Sequence, residues 1–425
     1  MITLPLDQSF QPPALPNVVV GSYPDRVLLS VWCYIADRTN ETTATSSTTD
    51  GHRIQVTFFA ARPPALFHLC IYCPDGASFA IEPRVVASHG NLILLSAGNI
   101  PSSTSDLFGQ DTSYDFFVYS ADATTGVAPS LDLLPTPRHP IGRANVGLIS
   151  GSGGSGYVVA TLSPHPRRKR YILSVHHEKT GHWSRKIVSR KVLPTVESPA
   201  GGGAEMRVKV ELVPLESTMV ITLQGSNNIA WVDLRGTLLL CDVLDKDPVA
   251  YHIPLPEPLS DSNKAQLESV GDPRFFRDAI GRANSVRFVE MDYRYGACFT
   301  PDGWRAVTYS WGLGSKKWCV DSVVDFEDVL ENSGGGLFSV LRPDSSKVVE
   351  SKNIAPLCVP TLCDRDGILY LMSKPYRRCH EGSVAVVDTS KKTLESVLPM
   401  SDQRVIGYSL TYVHSTFSKF FNDVC

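Results

Sequence analysis

The chain has 425 residues, 43% hydrophobic and 20% charged, with a formal net charge of −3 at pH 7. That composition supplies a sizeable core and speaks against wholesale binding to nucleic acid or anionic membranes, both of which need clustered positive charge. Nowhere do eighteen apolar residues run together, as a membrane-spanning helix requires, and Met1 to Gln8 has neither the basic start nor the apolar run of a secretory leader. The ten cysteines are scattered, several singly in expected strands (Cys33, Cys241, Cys298, Cys319), as reduced core thiols are. The expected compartment is therefore cytosol or nucleus, where the Asn40-Glu-Thr42 glycosylation pattern has no meaning.

Met1 to Asn17 contains prolines and reads as loose. Val27 to Ala36, Arg53 to Ala60 and Leu66 to Tyr72 read as a first set of strands, with a flexible Thr- and Ser-rich loop from Asn40 to Gly51. Cys70-Ile-Tyr-Cys73 has the spacing of half a zinc site, but Cys358, Cys363, Cys379 and His380 lie at unsuitable distances in sequence. Positions i and i+3 of a strand also face opposite sides, so two ordinary thiols are expected. Asn91 to Leu95 and Phe116 to Asp122 are strands, followed by a turn at Thr124 to Gly126 and a further strand from Leu131 to Pro135. Ile100 to Ser113 is an insertion between them.

Gly151-Ser-Gly-Gly-Ser-Gly156 satisfies the glycine spacing of a dinucleotide fingerprint, but a strand from Tyr157 follows where the fingerprint needs a helix. A hairpin loop is expected there. Arg167-Arg-Lys-Arg170 is the one sharp basic run, readable as a solvated loop or as an import or phosphate-binding patch. Tyr171 to Val175 is a strand, a turn at Lys179 to Gly181 follows, and His176, His177 and His182 flank it in solvent. Arg185, Lys186, Arg190 and Lys191 would extend a basic edge, and Val196 to Glu205 is another insertion.

The stretch from Ile229 to Pro256 is the most informative. Ile229 to Leu234 alternates, Arg235-Gly236 supplies a positive φ for a tight turn, and Thr237 to Val243 is apolar on both faces, as a central strand is. Asp245-Lys-Asp-Pro248 is a second turn, and Val249 to Ile253 ends at Pro254, which cannot donate to a ladder. Leu259 to Ala283 holds a helix near Ser262 to Val270, followed by Arg274 to Ile280, and Val286 to Met291 resumes as strand. Strand, turn and strand recur at Ala306 to Trp311 with Gly314 to Trp318, and at Gly367 to Met372, Ser383 to Asp388 and Leu394 to Pro399. Arg404 to Val413 would be the last strand, with Phe417, Phe420 and Phe421 packing on the surface.

All-strand repeats of this kind are the signature of propeller blades. The expectation is one all-β body over residues 1–425: a six-bladed β-propeller closed by 404–413 against the N-terminal strands. Asp242 and Asp388 recur at the same place in their units, and Asp302 and Asp366 stand before Gly303 and Gly367, so all four read as turn residues rather than acid/base groups. No catalytic, cofactor or metal residue is assigned.

Trp231-Val-Asp-Leu-Arg-Gly-Thr-Leu-Leu-Leu-Cys-Asp-Val243 with Tyr251-His-Ile-Pro-Leu-Pro256 resembles the signature of a grass-expanded plant family, domain of unknown function 1618. Gly51 to Val56, Cys70 to Pro74, Val286 to Met291, Trp304 to Thr308 and Tyr370 to Met372 are similar to flanking parts of that family, which makes 229–372 the signature region. The turn Leu234-Arg-Gly236 is shorter than the family's usual one. The resemblance implies no activity, no cofactor and no agreed ligand. The expected function is thus a non-catalytic, monomeric scaffold whose loops bind protein partners. The alternative is an enzyme or small-ligand binder with its site in the central channel; nucleic-acid binding through the basic edge is a third reading.

Overall fold

The computed structural model describes residues 23–79, 82–98, 114–121, 128–137, 142–151, 156–166, 170–192, 216–295, 301–333, 358–373, 381–401 and 412–424. The chain alternates short apolar runs with Gly, Asp or Pro turns, so each strand pairs with the next and the sheets are mostly antiparallel meanders. The first sheet is mixed. It contains β1 (Val27–Ser30), β2 (Tyr34–Ile35), β3 (Ala44–Ser47), β4 (Arg53–Phe59) and β5 (Leu66–Tyr72). β1 and β2 each run parallel to β5, while β3, β4 and β5 are antiparallel.

The second group is β6 (Arg84–His89), β7 (Leu92–Gly98), β8 (Tyr114–Ser120) and β9 (Ser130–Leu133). The third is β10 (Val146–Ser150), β11 (Tyr157–Pro164), β12 (Arg170–His177) and β13 (His182–Val192). The fourth is β14 (Met219–Thr222), β15 (Asn228–Asp233), β16 (Thr237–Asp242) and β17 (Val249–Pro254). A parallel pairing of β13 with β17, Lys191 opposite Tyr251, fuses the third and fourth groups into one eight-stranded sheet. The fifth group follows α1 (Asp261–Glu268) and comprises β18 (Arg277–Gly281), β19 (Ser285–Tyr295), β20 (Pro301–Gly312) and β21 (Cys319–Asp325), with α2 (Phe326–Asn332) after it. The sixth is β22 (Cys358–Leu362), β23 (Ile368–Ser373), β24 (Glu381–Asp388) and β25 (Thr393–Ser401). Finally β26 (Tyr412–Ser415) returns to pair antiparallel with β1, Leu29 opposite Val413.

The core lies between successive groups, and it runs around a ring. Phe58 and Phe67 meet Leu95, Phe117 and Tyr119 between the first and second groups. Leu94 and Val118 meet Leu148 and Val159 between the second and third, and Leu173 and Ala160 meet Trp231 and Leu239 between the third and fourth. Val232 and Leu240 pack on Phe288 and Trp311, and Met291 and Ala306 pack on Leu369 and Ala385. The circuit ends where Tyr370 and Val384 meet Leu28 and Tyr412. Sheets stacked face to face around a ring define a β-propeller.

Two tryptophans repeat one device across this ring. The Trp183 indole donates to the Pro135 carbonyl at 2.8 Å, and the Trp318 indole donates to the Pro254 carbonyl at 2.8 Å. Each Trp stands at the start of the fourth strand of its group, Trp183 within β13 and Trp318 just before β21, and each Pro stands at or just past the end of the fourth strand of the group before.

Several expectations need correction. The Thr/Ser segment 40–51 is no flexible loop: it forms β3, because Thr43 and Thr57 share a hydroxyl contact of 3.0 Å and Thr49 donates to the buried Asp115. The helix expected near Ser262 to Val270 is α1, whereas the Arg274 to Ile280 segment splits into the end of a 3-10 turn (Pro273–Phe275) and β18, whose residues from Arg277 pair with β19. Gly236 is not left-handed; the turn is closed instead by Asp233, which accepts from the Arg235 and Gly236 amides. Asp302-Gly303 lies inside β20 rather than at a turn. His176 is buried against Tyr157 and Trp183, while Cys319 is exposed. Phe417 and Phe421 enter the core beside Phe58 instead of lying on the surface. Closure against β1 is made by Tyr412–Ser415, whose Tyr412 and Val413 belong to the expected stretch 404–413; 404–411 lie outside the described residues. Also outside them are Arg167, Arg168 and Lys169, most of the loop 151–156, the insertions 100–113 and 196–205, and Cys298, Cys379 and His380.

Candidate functional site

The first strand of each of the five later groups, together with β26, surrounds a cavity of about 350 Å³ at the centre of the ring. These strands are short and carry small or polar residues at the cavity: Ser88 and His89 from β6, Ser150 from β10, Thr222 from β14, Asp278 from β18, Thr361 from β22, and His414 and Ser415 from β26. Lys419, just after β26, adds a cation. Gly281 keeps two strands close, because a Cβ there would collide with the Thr222 carbonyl.

The polar groups are held by named contacts. His89 Nδ1 accepts from the Ser150 amide at 3.0 Å and faces the Ser150 hydroxyl at 3.1 Å. Accepting on Nδ1 leaves the proton on Nε2, which is buried and makes no hydrogen bond. Burial pushes the His89 imidazole down to about 4, so it is neutral at physiological pH. Ser88 and Ser415 share a hydroxyl contact of 2.7 Å that links β6 to β26 across the ring closure. Asp278 is buried, and its Oδ2 accepts from the Leu362 amide at 2.8 Å. Burial raises its carboxyl to about 7 even though backbone amides and Arg274 favour the charged form.

The signature stretch proves structural. Arg235 in the β15–β16 turn donates from Nη1 to the Ser269 carbonyl at 2.8 Å and from Nη2 to the Gly271 carbonyl at 2.7 Å, covering the C-terminal end of α1. Beneath it the fully buried Arg277 donates to the Leu234 carbonyl at 2.8 Å and to Glu290 Oε2 at 2.6 Å. Glu290 Oε1 then accepts from Asn263 of α1 at 2.6 Å and from the Leu259 amide at 2.9 Å. Asp242 and Asp388 cap their turns as expected, each accepting from two backbone amides.

Cys70 and Cys73 are buried thiols at the end of β5, and burial pushes Cys73 up to about 11. Arg170 begins β12 and is exposed. Arg185, Lys186, Arg190 and Lys191 lie on β13, whose outward positions are mostly exposed. Sequence reasoning did not single out His89, Asp278, His414 or Lys419. Each is an isolated polar residue in or beside a short strand, and only the ring brings them together.

No curated protein matches the sequence. Among solved structures, the chain is similar to the β-propeller domain of the Trilobed protease from Pyrococcus furiosus, with 10% identity, 77% of this chain and 72% of that one covered, and a TM-score of 0.33. It is similar also to Sqt1 of Saccharomyces cerevisiae, at 8% identity, 75% of each chain and a TM-score of 0.30. A prolyl endopeptidase structure matches at 12% identity and a TM-score of 0.29, covering 84% of this chain but 42% of that one. Scores this low carry no argument, and the fold rests on strand pairing and core packing. Residues 231–370 match the family model described as Protein of unknown function (DUF1618), so over that third of its length the chain is similar to the DUF1618 family.

Proposed function

We propose that the chain is a non-catalytic binding protein, a ring of six blades if each strand group is counted as one, whose central channel takes a small ligand bearing oxygen acceptors. The observation that carries this reading is the His89 Nε2 donor, buried in the channel wall without a hydrogen-bond partner. A buried donor left unpaired costs about 1–3 kcal/mol, which an acceptor oxygen from a ligand would offset. Hydroxyls from Ser150 and Thr222 and the Lys419 ammonium stand in the same cavity. Binding is favoured over acid/base chemistry because Asp278 and His89 already spend an acceptor on backbone amides.

A thermal-shift panel of inorganic phosphate, sugars and small carboxylates tests the idea. At least one class should raise the melting temperature of the wild-type chain, and His89→Ala should lose most of that shift. A shift that survives both His89→Ala and Lys419→Ala would remove the channel from consideration.

A scaffold role is the second reading, favoured by the exposed Arg185 and Lys191 on the same face of β13 as the exposed Ile187. That strand suits an acidic protein segment by charge complementarity. Reversing Arg185 and Lys191 to Glu should abolish recovery of such a partner in pull-downs; unchanged recovery would end this reading.

A further inference from the structure

The turn after β22 meets the closing strand β26 at three side chains of metal-ligating type. We propose that Cys363, Asp364 and His414 bind a divalent first-row transition metal, with zinc the best match. This site stands independently of the proposed channel ligand, although His414 borders both.

Geometry carries the assignment. Cys363 Sγ lies 3.5 Å from Asp364 Oδ1, and His414 Nε2 lies 3.2 Å from the same oxygen. All three ligand atoms fall within 4.8 Å of one another, and no other such trio occurs among the described residues. Tetrahedral zinc with bonds of about 2.0–2.3 Å places neighbouring ligand atoms roughly 3.3–3.5 Å apart. The two separations seen here are close to tetrahedral edges. Sulfur, imidazole nitrogen and carboxylate oxygen together form a borderline donor set, which suits zinc better than calcium or magnesium.

A second observation points the same way. The His414 side chain is only 4% exposed, yet its Nε2 makes no hydrogen bond even with a carboxylate oxygen 3.2 Å away. The geometry misses the angle a hydrogen bond needs, whereas a cation would give Nε2 a partner and would replace the bond that the Cys363 thiol now donates to Asp364 Oδ1. The surroundings are those of a metal ligand shell. The Arg365 amide donates to Cys363 Sγ at 3.4 Å, and Arg26 Nε donates to Asp364 Oδ1 at 2.7 Å, fixing the carboxylate. The Arg26 guanidinium opposes a dication, but its side chain is 44% exposed and therefore screened by solvent.

Burial pushes the Cys363 thiol up to about 11 and the His414 imidazole down to about 4, so both are neutral without metal. Zinc would displace the thiol proton, one sulfur–metal bond forming as one proton leaves for solvent. A fourth position remains for water. Because Leu362 and His414 line the channel, the metal would sit at its wall and tie the sixth group to the closing strand.

The test uses the full chain, loaded with excess zinc and then dialysed. One equivalent of zinc per chain should be retained, falling at least tenfold in Cys363→Ser and in His414→Gln but not in Cys73→Ser. Replacement by cobalt should produce a near-ultraviolet thiolate-to-cobalt charge-transfer band that Cys363→Ser abolishes. A wild-type chain that retains no zinc above background, or shows no thiolate band with cobalt, overturns the proposal even if the variants fail to fold. A band that persists in Cys363→Ser overturns it as well.

Discussion

Arg277 and Glu290 face each other with no side-chain exposure, 2.6 Å apart. Neither charge has water to fall back on, so the pair holds only while both members are present. Removing one leaves the other unpaired, and such losses cost about 3–5 kcal/mol. Glu290→Ala should lower the unfolding free energy obtained from urea titration by that amount, whereas the double change Glu290→Ala with Arg277→Leu should recover part of it. Asp278 gives a residue-scale prediction in pH. Its carboxyl keeps its proton to about 7 in the fold and gives it up near its ordinary value of 3.8 when unfolded. Between those values the folded chain binds the extra proton, so this group's contribution is full below pH 3.8 and is lost as pH rises through 7. The slope is at most about 1.4 kcal/mol per pH unit. Subtracting an Asp278→Asn profile from that of the wild type should isolate that decline between pH 4 and 7. A flat difference would show that the carboxyl is ionised throughout.

Helix α1 shows how an element is held by its neighbours. Its sequence, DSNKAQLE, has no broad apolar face, and only Asn263 and Leu267 are buried. Ser260 caps its N-terminus by accepting from the Asn263 amide, and Arg235 from another group covers its C-terminal carbonyls. Arg235→Ala should therefore speed amide exchange across 261–271 and cost about 1–2 kcal/mol, with little change elsewhere. The same dependence explains what the sequence could and could not reveal. The second and third strands of the later groups are flanked on both sides by other strands, and those buried on both faces read as apolar runs. Leu92–Gly98 and Thr237–Asp242 stand out for that reason. The first strands, such as Arg84–His89 and Arg277–Gly281, face the polar channel and mix charge with small residues. No periodicity marks them. His89, Asp278 and His414 escaped notice because their meaning lies in a convergence across three groups more than 100 residues apart.

At the scale of the whole molecule, the ring depends on two close passages. One is Gly281 against the Thr222 backbone, where a methyl group has nowhere to go because carbonyls do not swing aside as side chains do. Gly281→Ala should destabilise the chain by about 2 kcal/mol or more, measured by urea unfolding. The other passage is closure by β26, which contributes four residues paired to β1, the Tyr412 ring in the last inter-group core, and Phe417 in the first. A chain ending before Tyr412 should lose the single cooperative transition, because the first and sixth groups would each expose an apolar face.

The parallel contact between β13 and β17 bears on how such a ring comes apart. It gives the third and fourth groups a shared hydrogen-bonded edge on the outside, in addition to the core packed between them. Elsewhere the backbone contact between neighbouring groups is slighter, as in the single bridge between Trp32 and Arg84, and side chains such as Trp183 and Trp318 supply the rest. Loosening of the ring should therefore begin at the opposite side, near β1 and β26, and leave β10 to β17 as the last region to exchange its amide protons. The molecule would then breathe as a hinged arc with one rigid third, and entry to the channel would be governed by its sparsely bonded side.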